Sequence, residues 1–129
     1  MKTIMIIEDN PMIHDKLIEI LSMENYHTLH ASNGLIALDM IKKELPDLII
    51  TDVVMPGIDG FQLISRLKNR IETNRIPIVV LSAKIGDKYQ LKAKNVGAFE
   101  FLTKPVSVDK LLETIDAAFK SCSVVNNAV

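Results

Sequence analysis

Short apolar runs alternate along this chain with stretches in which apolar residues recur at helical spacing. Runs at 3–7 (TIMII), 47–51 (DLIIT), 77–81 (PIVVL) and 98–102 (AFEFL) predict strands. The first three are nearly continuous in apolar residues, as expected of strands covered on both faces. A more polar run at 27–31 (HTLHA) predicts an edge strand.

Between the runs the period becomes helical. Ile13, Leu17, Ile20 and Leu21 share one face, and Asn10-Pro11 supplies a cap followed by proline at the first helical position. Ser32 or Asn33 can cap a second helix built on Ala37, Leu38 and Ile41. A third uses Phe61, Ile64, Leu67 and Ile71. A weaker fourth spans about 87–96, and a fifth follows Ser107 with Leu111, Leu112, Ile115 and Phe119. Asp59-Gly60 reads as a turn and helix start.

Five strand-then-helix units in order require crossover connections, hence parallel strands with helices on both faces. The predicted architecture is a doubly wound α/β domain over 1–120. Residues 121–129 (SCSVVNNAV) lack a helical period and read as a flexible tail or the start of a linker. A chain of 129 residues suits one domain with a real core.

Composition narrows the function classes. A net charge of −1 gives no electrostatic reason to propose a nucleic-acid or membrane partner. No apolar run approaches the roughly 20 residues that span a bilayer. The apolar start is interrupted at once by Glu8-Asp9, unlike a signal peptide, so a cytoplasmic location is expected. Cys122 is the single cysteine, which rules out an internal disulfide and a cysteine-rich zinc site.

In open parallel sheets, ligands bind beyond the carboxyl ends of the strands. Glu8 and Asp9 follow the first run, Asp52 the third, Ser82 the fourth, and Thr103-Lys104-Pro105 the last. The fold would gather three carboxylates, a hydroxyl and an ammonium on one rim. Three like charges at close range call for a cation beyond Lys104. Oxygen-only donors favour a hard ion, and Mg²⁺ combines one or two carboxylates with waters and phosphate oxygens. A carboxylate can then act as nucleophile and become an aspartyl-phosphate. Each residue also has a plainer reading. Asp9 and Asn10 are both good helix caps; Asn10 suffices, which leaves Glu8-Asp9 without a structural task. Asp52 could be a turn residue, but an acid closing the run Leu48-Ile49-Ile50 is costly near a core.

The segments Ile6-Ile7-Glu8-Asp9-Asn10, Asp47 through Gly60, Ile78-Val79-Val80-Leu81-Ser82-Ala83 and Thr103-Lys104-Pro105 together resemble the response-regulator receiver family. These are the phosphoacceptor modules of two-component signalling. The resemblance covers about 3–120 and implies a flavodoxin-like strand order 2-1-3-4-5. It implies that Asp52 is the phosphoacceptor and that Asp9 binds Mg²⁺ directly. Glu8 would bind Mg²⁺ through water, and Asp52 and the Val54 backbone carbonyl would complete the protein's ligands. Ser82 and Lys104 would each hold a phosphoryl oxygen, Phe101 would be the switch aromatic, and Lys104-Pro105 would be cis. The donor would be a histidine kinase or histidine phosphotransfer protein. The moving surface would be the fourth helix, fifth strand and fifth helix. A phosphorylation-dependent homodimer is left open, and the effector is unassigned.

Departures from the family pattern are few. Glu8 stands where aspartate is commoner, and Phe101 lacks the hydroxyl of the frequent tyrosine. Val54 cannot hold a hydrolytic water as an amide or acid would, so slow loss of the phosphoryl group is expected. The main rival is a Mg²⁺-dependent phosphohydrolase or phosphotransferase with an aspartyl-phosphate intermediate. Such an enzyme would need an acid at position 54 and a substrate cap. A pseudo-receiver would lack one of Asp9, Asp52 or Lys104, and a flavin domain would not place Glu8-Asp9 in its phosphate loop. His14, His27 and His30 read as surface or edge residues without ligand spacing. Met5, Met12, Met23 and Met40 read as core filling, and Lys84, Lys88, Lys92 and Lys94 as a solvated face of the fourth helix.

Overall fold

A computed structural model of the chain describes the backbone of residues 1–127 and the side-chain surroundings of 1–121. Its elements are β1 (Thr3–Ile7), α1 (Pro11–Met23), β2 (His27–Ala31), α2 (Gly34–Lys43), β3 (Leu48–Thr51), α3 (Gly60–Lys68), β4 (Ile78–Ser82), α4 (Asp87–Val96), β5 (Glu100–Thr103) and α5 (Val108–Asn127). The strands pair in parallel in the order β2-β1-β3-β4-β5. This is the expected doubly wound sheet.

Burial explains which runs became central. Every residue of β3 and β4, and all of β1 after Thr3, is buried. Strand periodicity then sorts each continuous run into two faces. Met5, Ile7, Ile49, Ile78 and Val80 pack with Leu38, Ile41, Leu63, Ile64 and Ala93 of α2, α3 and α4. Ile4, Ile6, Leu48, Ile50, Val79 and Leu81 pack with Leu17, Leu21, Leu111 and Ile115 of α1 and α5. The more polar β2 and β5 lie at the two edges, where only part of each strand is covered.

Caps set the helix starts. The Asn10 side chain accepts from the Met12 and Ile13 amides, and Asn33 from Ile36. Asp59 and Gln62 form a reciprocal capping box at α3.

Three expectations need correction. Helix α3 stops at Lys68, and Ile71 is 90% exposed rather than on its apolar face. The Thr73 hydroxyl donates to the Leu67 carbonyl at 2.5 Å and the Lys68 ammonium takes the Asn74 and Ile76 carbonyls, so side chains close the chain into turns there. Met12 and Met23 are exposed, because they fall off the Ile13–Leu17–Leu21 stripe of α1, whereas Met5 is buried and Met40 partly so. Finally, α5 runs to Asn127, so the expected flexible tail over 121–129 is helical as far as 127. No glycine or proline after Val108 interrupts it, and adding a residue to an existing helix is far cheaper than starting one. Residues 128–129 lie outside the described residues.

Candidate phosphoacceptor site

Each predicted site residue stands at the carboxyl edge because its strand ends there. Glu8 and Asp9 follow β1, Asp52 follows β3, Ser82 ends β4, and Lys104 follows β5. The register pairs Ile7 with Thr51 and Ser82 with Thr103, so the strand ends line up. Residues separated by up to 96 positions thereby meet.

Lys104 is the hub. Its ammonium donates to Glu8 Oε1 at 2.8 Å and to Asp52 Oδ2 at 3.0 Å. The Lys104 amide donates to the Ser82 carbonyl at 2.8 Å, tying the residue to the end of β4, and the Lys104-Pro105 bond is cis. Glu8 is only 4% exposed. An unpaired carboxylate there would cost several kcal/mol, so the ion pair is what permits its burial. Glu8 Oε2 is also used, accepting from the Asn10 amide at 3.2 Å.

Burial works against the Lys104 charge, but hydrogen bonds and charge from Glu8 and Asp52 outweigh it and raise its pKa above the ordinary lysine value. A raised lysine pKa stabilises the fold fully below the unfolded value of about 10.4. That contribution is lost as pH rises through the folded value, so the ammonium is in place throughout the neutral range.

The Asp52 carboxylate is held at both oxygens. Oδ1 accepts from the Val53 amide at 2.6 Å and the Val54 amide at 3.4 Å, while Oδ2 meets Lys104. Behind it, the Thr51 hydroxyl donates to the Asp52 carbonyl at 3.0 Å. The side chain stays partly open to solvent, with Val54 57% exposed beside it. Ser82 is fully buried, and its hydroxyl oxygen accepts from the Lys84 amide at 3.1 Å, which leaves its proton able to donate. Asp9 is exposed and makes no hydrogen bond or ion pair among the described residues. Phe101 is half-buried against the core on the α2, α3 and α4 side.

These donors fit Mg²⁺ better than a softer ion. Among the described residues no three acidic, histidine or cysteine side chains converge into a closed metal cage. The rim instead offers the Asp9 carboxylate, which has no partner among the described residues, and two carboxylates that share a single ammonium. A sparse oxygen set suits an ion that keeps most of its waters.

Sequence reasoning missed one feature of this rim. His14 and His30 stack with ring centroids 3.5 Å apart, and His30 Nε2 donates to the Glu8 carbonyl at 2.9 Å. Their separation by 16 positions matches no ligand or helical spacing; only the packing of α1 on β2 brings them together.

The fold and the rim together define a phosphoacceptor signalling module. The chain matches the response regulator receiver domain over residues 4–116, and it belongs to that family. It is 36% identical over 117 residues to protein PilH of Pseudomonas aeruginosa, covering 91% of this chain and 97% of that one. It is 35% identical over 112 residues to sporulation initiation phosphotransferase F of Bacillus subtilis, covering 87% and 89%. Among solved structures, chemotaxis protein CheY4 of Vibrio cholerae superposes with a TM-score of 0.86 at 27% identity, covering 92% of this chain and 98% of that one. Two-component signalling is therefore its role, and the hydrolase alternative is not favoured. No described helix is long and apolar enough to cross a membrane.

Proposed function

We propose that Asp52 takes a phosphoryl group from a phosphohistidine of a histidine kinase or histidine phosphotransfer protein in the cytoplasm. The observation that carries this reading is the Asp52 carboxylate standing at the end of a central strand, with Lys104 bound to one oxygen and backbone amides to the other. An Asp52 oxygen attacks phosphorus, and the bond from phosphorus to the donor nitrogen breaks. Charge on the outer phosphoryl oxygens needs fixed positive partners. Lys104 takes one oxygen, and the Ser82 hydroxyl turns from its local turn to take another. Asp9, Glu8 through water, Asp52 and the Val54 carbonyl would hold Mg²⁺, which supplies charge neutralisation at the transferring group.

Capture of Ser82 by the phosphoryl group vacates space beside β5, and Phe101 turns inward. The surface of α4, β5 and α5 then shifts between two pre-existing arrangements. The protein acts on its own phosphorylation state and turns over no separate substrate. Incubation with acetyl phosphate and Mg²⁺ should add one phosphoryl group by intact mass, and chelation of the metal should prevent it. Protein that stays unmodified at saturating donor and metal would overturn the reading.

Val54 makes a second expectation specific. An exposed valine two residues past the acceptor offers no group to orient an attacking water. The phosphorylated protein should therefore decay slowly, and Val54→Asn, which supplies an amide to orient that water, should shorten its lifetime. Decay within seconds in the unsubstituted protein would contradict this.

A further inference from the structure

Two of the three histidines meet beside the acidic pair, and the phosphoacceptor reading uses neither. The last backbone rung between β1 and β2 is the Glu8 amide donating to Ala31 at 3.1 Å. Among the described residues no backbone amide reaches the Glu8 carbonyl; His30 Nε2 takes that place at 2.9 Å. A carbonyl only accepts, so His30 carries its proton on Nε2. The ring beneath is equally fixed, since His14 Nδ1 donates to the Asp15 carboxylate at 3.0 Å. His14 Nε2 is buried and has no hydrogen-bond partner among the described residues, an arrangement that calls for an explanation.

The explanation lies in what the stack holds still. The peptide joining Glu8 to Asp9 is a rigid plane, so the direction of the Glu8 carbonyl sets how the chain enters Asp9. The Glu8 side chain is already tethered at both oxygens, whereas Asp9 has no side-chain partner among the described residues. Asp9 thus takes its aim from the backbone alone. We propose that His30, braced by His14, is a positioning residue that aims Asp9 and, with it, the Mg²⁺ site. This rests on the reading that Asp9 and Glu8 hold the metal.

The test is calorimetric titration of Mg²⁺ into the unmodified protein and four variants, with urea midpoints recorded without metal. His30→Leu should weaken Mg²⁺ binding by about tenfold, at the lower end for a partner one step behind a metal ligand. His30→Gln, whose amide places an N–H near the same point, should recover most of the loss. His14→Ala should weaken binding, and His14→Phe, which restores a flat platform, should regain much of it. Nitrogen chemical shifts should show the Nε2–H form of His30 in the metal-free protein. Binding by His30→Leu within about twofold of wild type, equal losses in the Leu and Gln variants, or an Nδ1–H form of His30 each overturns the inference. Unmodified protein that binds no Mg²⁺ overturns the metal reading itself.

Discussion

Asp52→Asn should abolish phosphorylation while leaving the fold intact. A carboxylate oxygen supplies the electron pair that attacks phosphorus, and a neutral amide oxygen is a far weaker nucleophile. The geometry tolerates the swap. The amide oxygen can take over the Val53 and Val54 amides now bound at 2.6 and 3.4 Å, while Lys104 keeps Glu8 at 2.8 Å. The new amide nitrogen then faces the ammonium without a bond, but one negative charge leaves a crowded rim. These changes oppose one another, and the net effect on stability should stay within about 1 kcal/mol, the size of a single net hydrogen bond. Intact mass after incubation with acetyl phosphate and Mg²⁺ should show no added phosphoryl group, with a urea midpoint near that of the parent. Retention of full phosphoryl uptake would place the acceptor elsewhere and remove Asp52 from the mechanism.

Gly60→Ala should be the most destabilising conservative change near the site. The first residue of α3 presses against the loop that carries Asp52. Its amide donates to the Val53 carbonyl at 2.8 Å. A Cβ placed there would lie 2.2 Å from the Asp52 carbonyl oxygen and 3.0 Å from Val53 Cα. Both are backbone atoms, so no flexible side chain can yield. Alanine's helix preference over glycine is worth about 1 kcal/mol. A backbone clash of this kind costs about 3 kcal/mol, the upper end for overpacking, and should win. Relief of the clash must move either α3 or the peptide of Asp52, so phosphoryl uptake should slow as well. Urea denaturation measures the first effect and initial rates of mass gain the second. A midpoint unchanged from wild type would show that α3 can slide away freely, contrary to the capping box that pins it.

The same two residues show how legible the site was. Asp52 was readable because an acid directly after Leu48-Ile49-Ile50 has no cheap structural reason to be there. Glu8, Asp9, Ser82 and Lys104 were readable by the same rule, since a parallel sheet gathers whatever stands after its strands. Gly60 was read only as a helix start. Its closeness to the Asp52 backbone comes from how α3 folds back on the sheet, and no spacing in the chain encodes that distance. Ile71 continued a helical pattern, but the Thr73 hydroxyl takes the Leu67 carbonyl in the last turn of α3 and the Lys68 ammonium takes the Ile76 carbonyl, which turns the chain away after Lys68. The missing period after Lys120 suggested a tail, yet a helix with no breaker in it can outrun its own apolar stripe.

What one dimension determined, then, was the order of elements, the central and edge strands, and the chemical types collected at the carboxyl edge. These follow from local periodicity and from the rule that parallel strands end on one side. Tertiary structure alone decided that Lys104 bridges Glu8 and Asp52, that Asp9 has no partner among the described residues, and that His14 stacks on His30, which donates to the Glu8 carbonyl. Such contacts depend on side-chain directions across three or more packed elements. Positions so far apart in sequence carry no pattern that records them, because each is fixed only when the core closes.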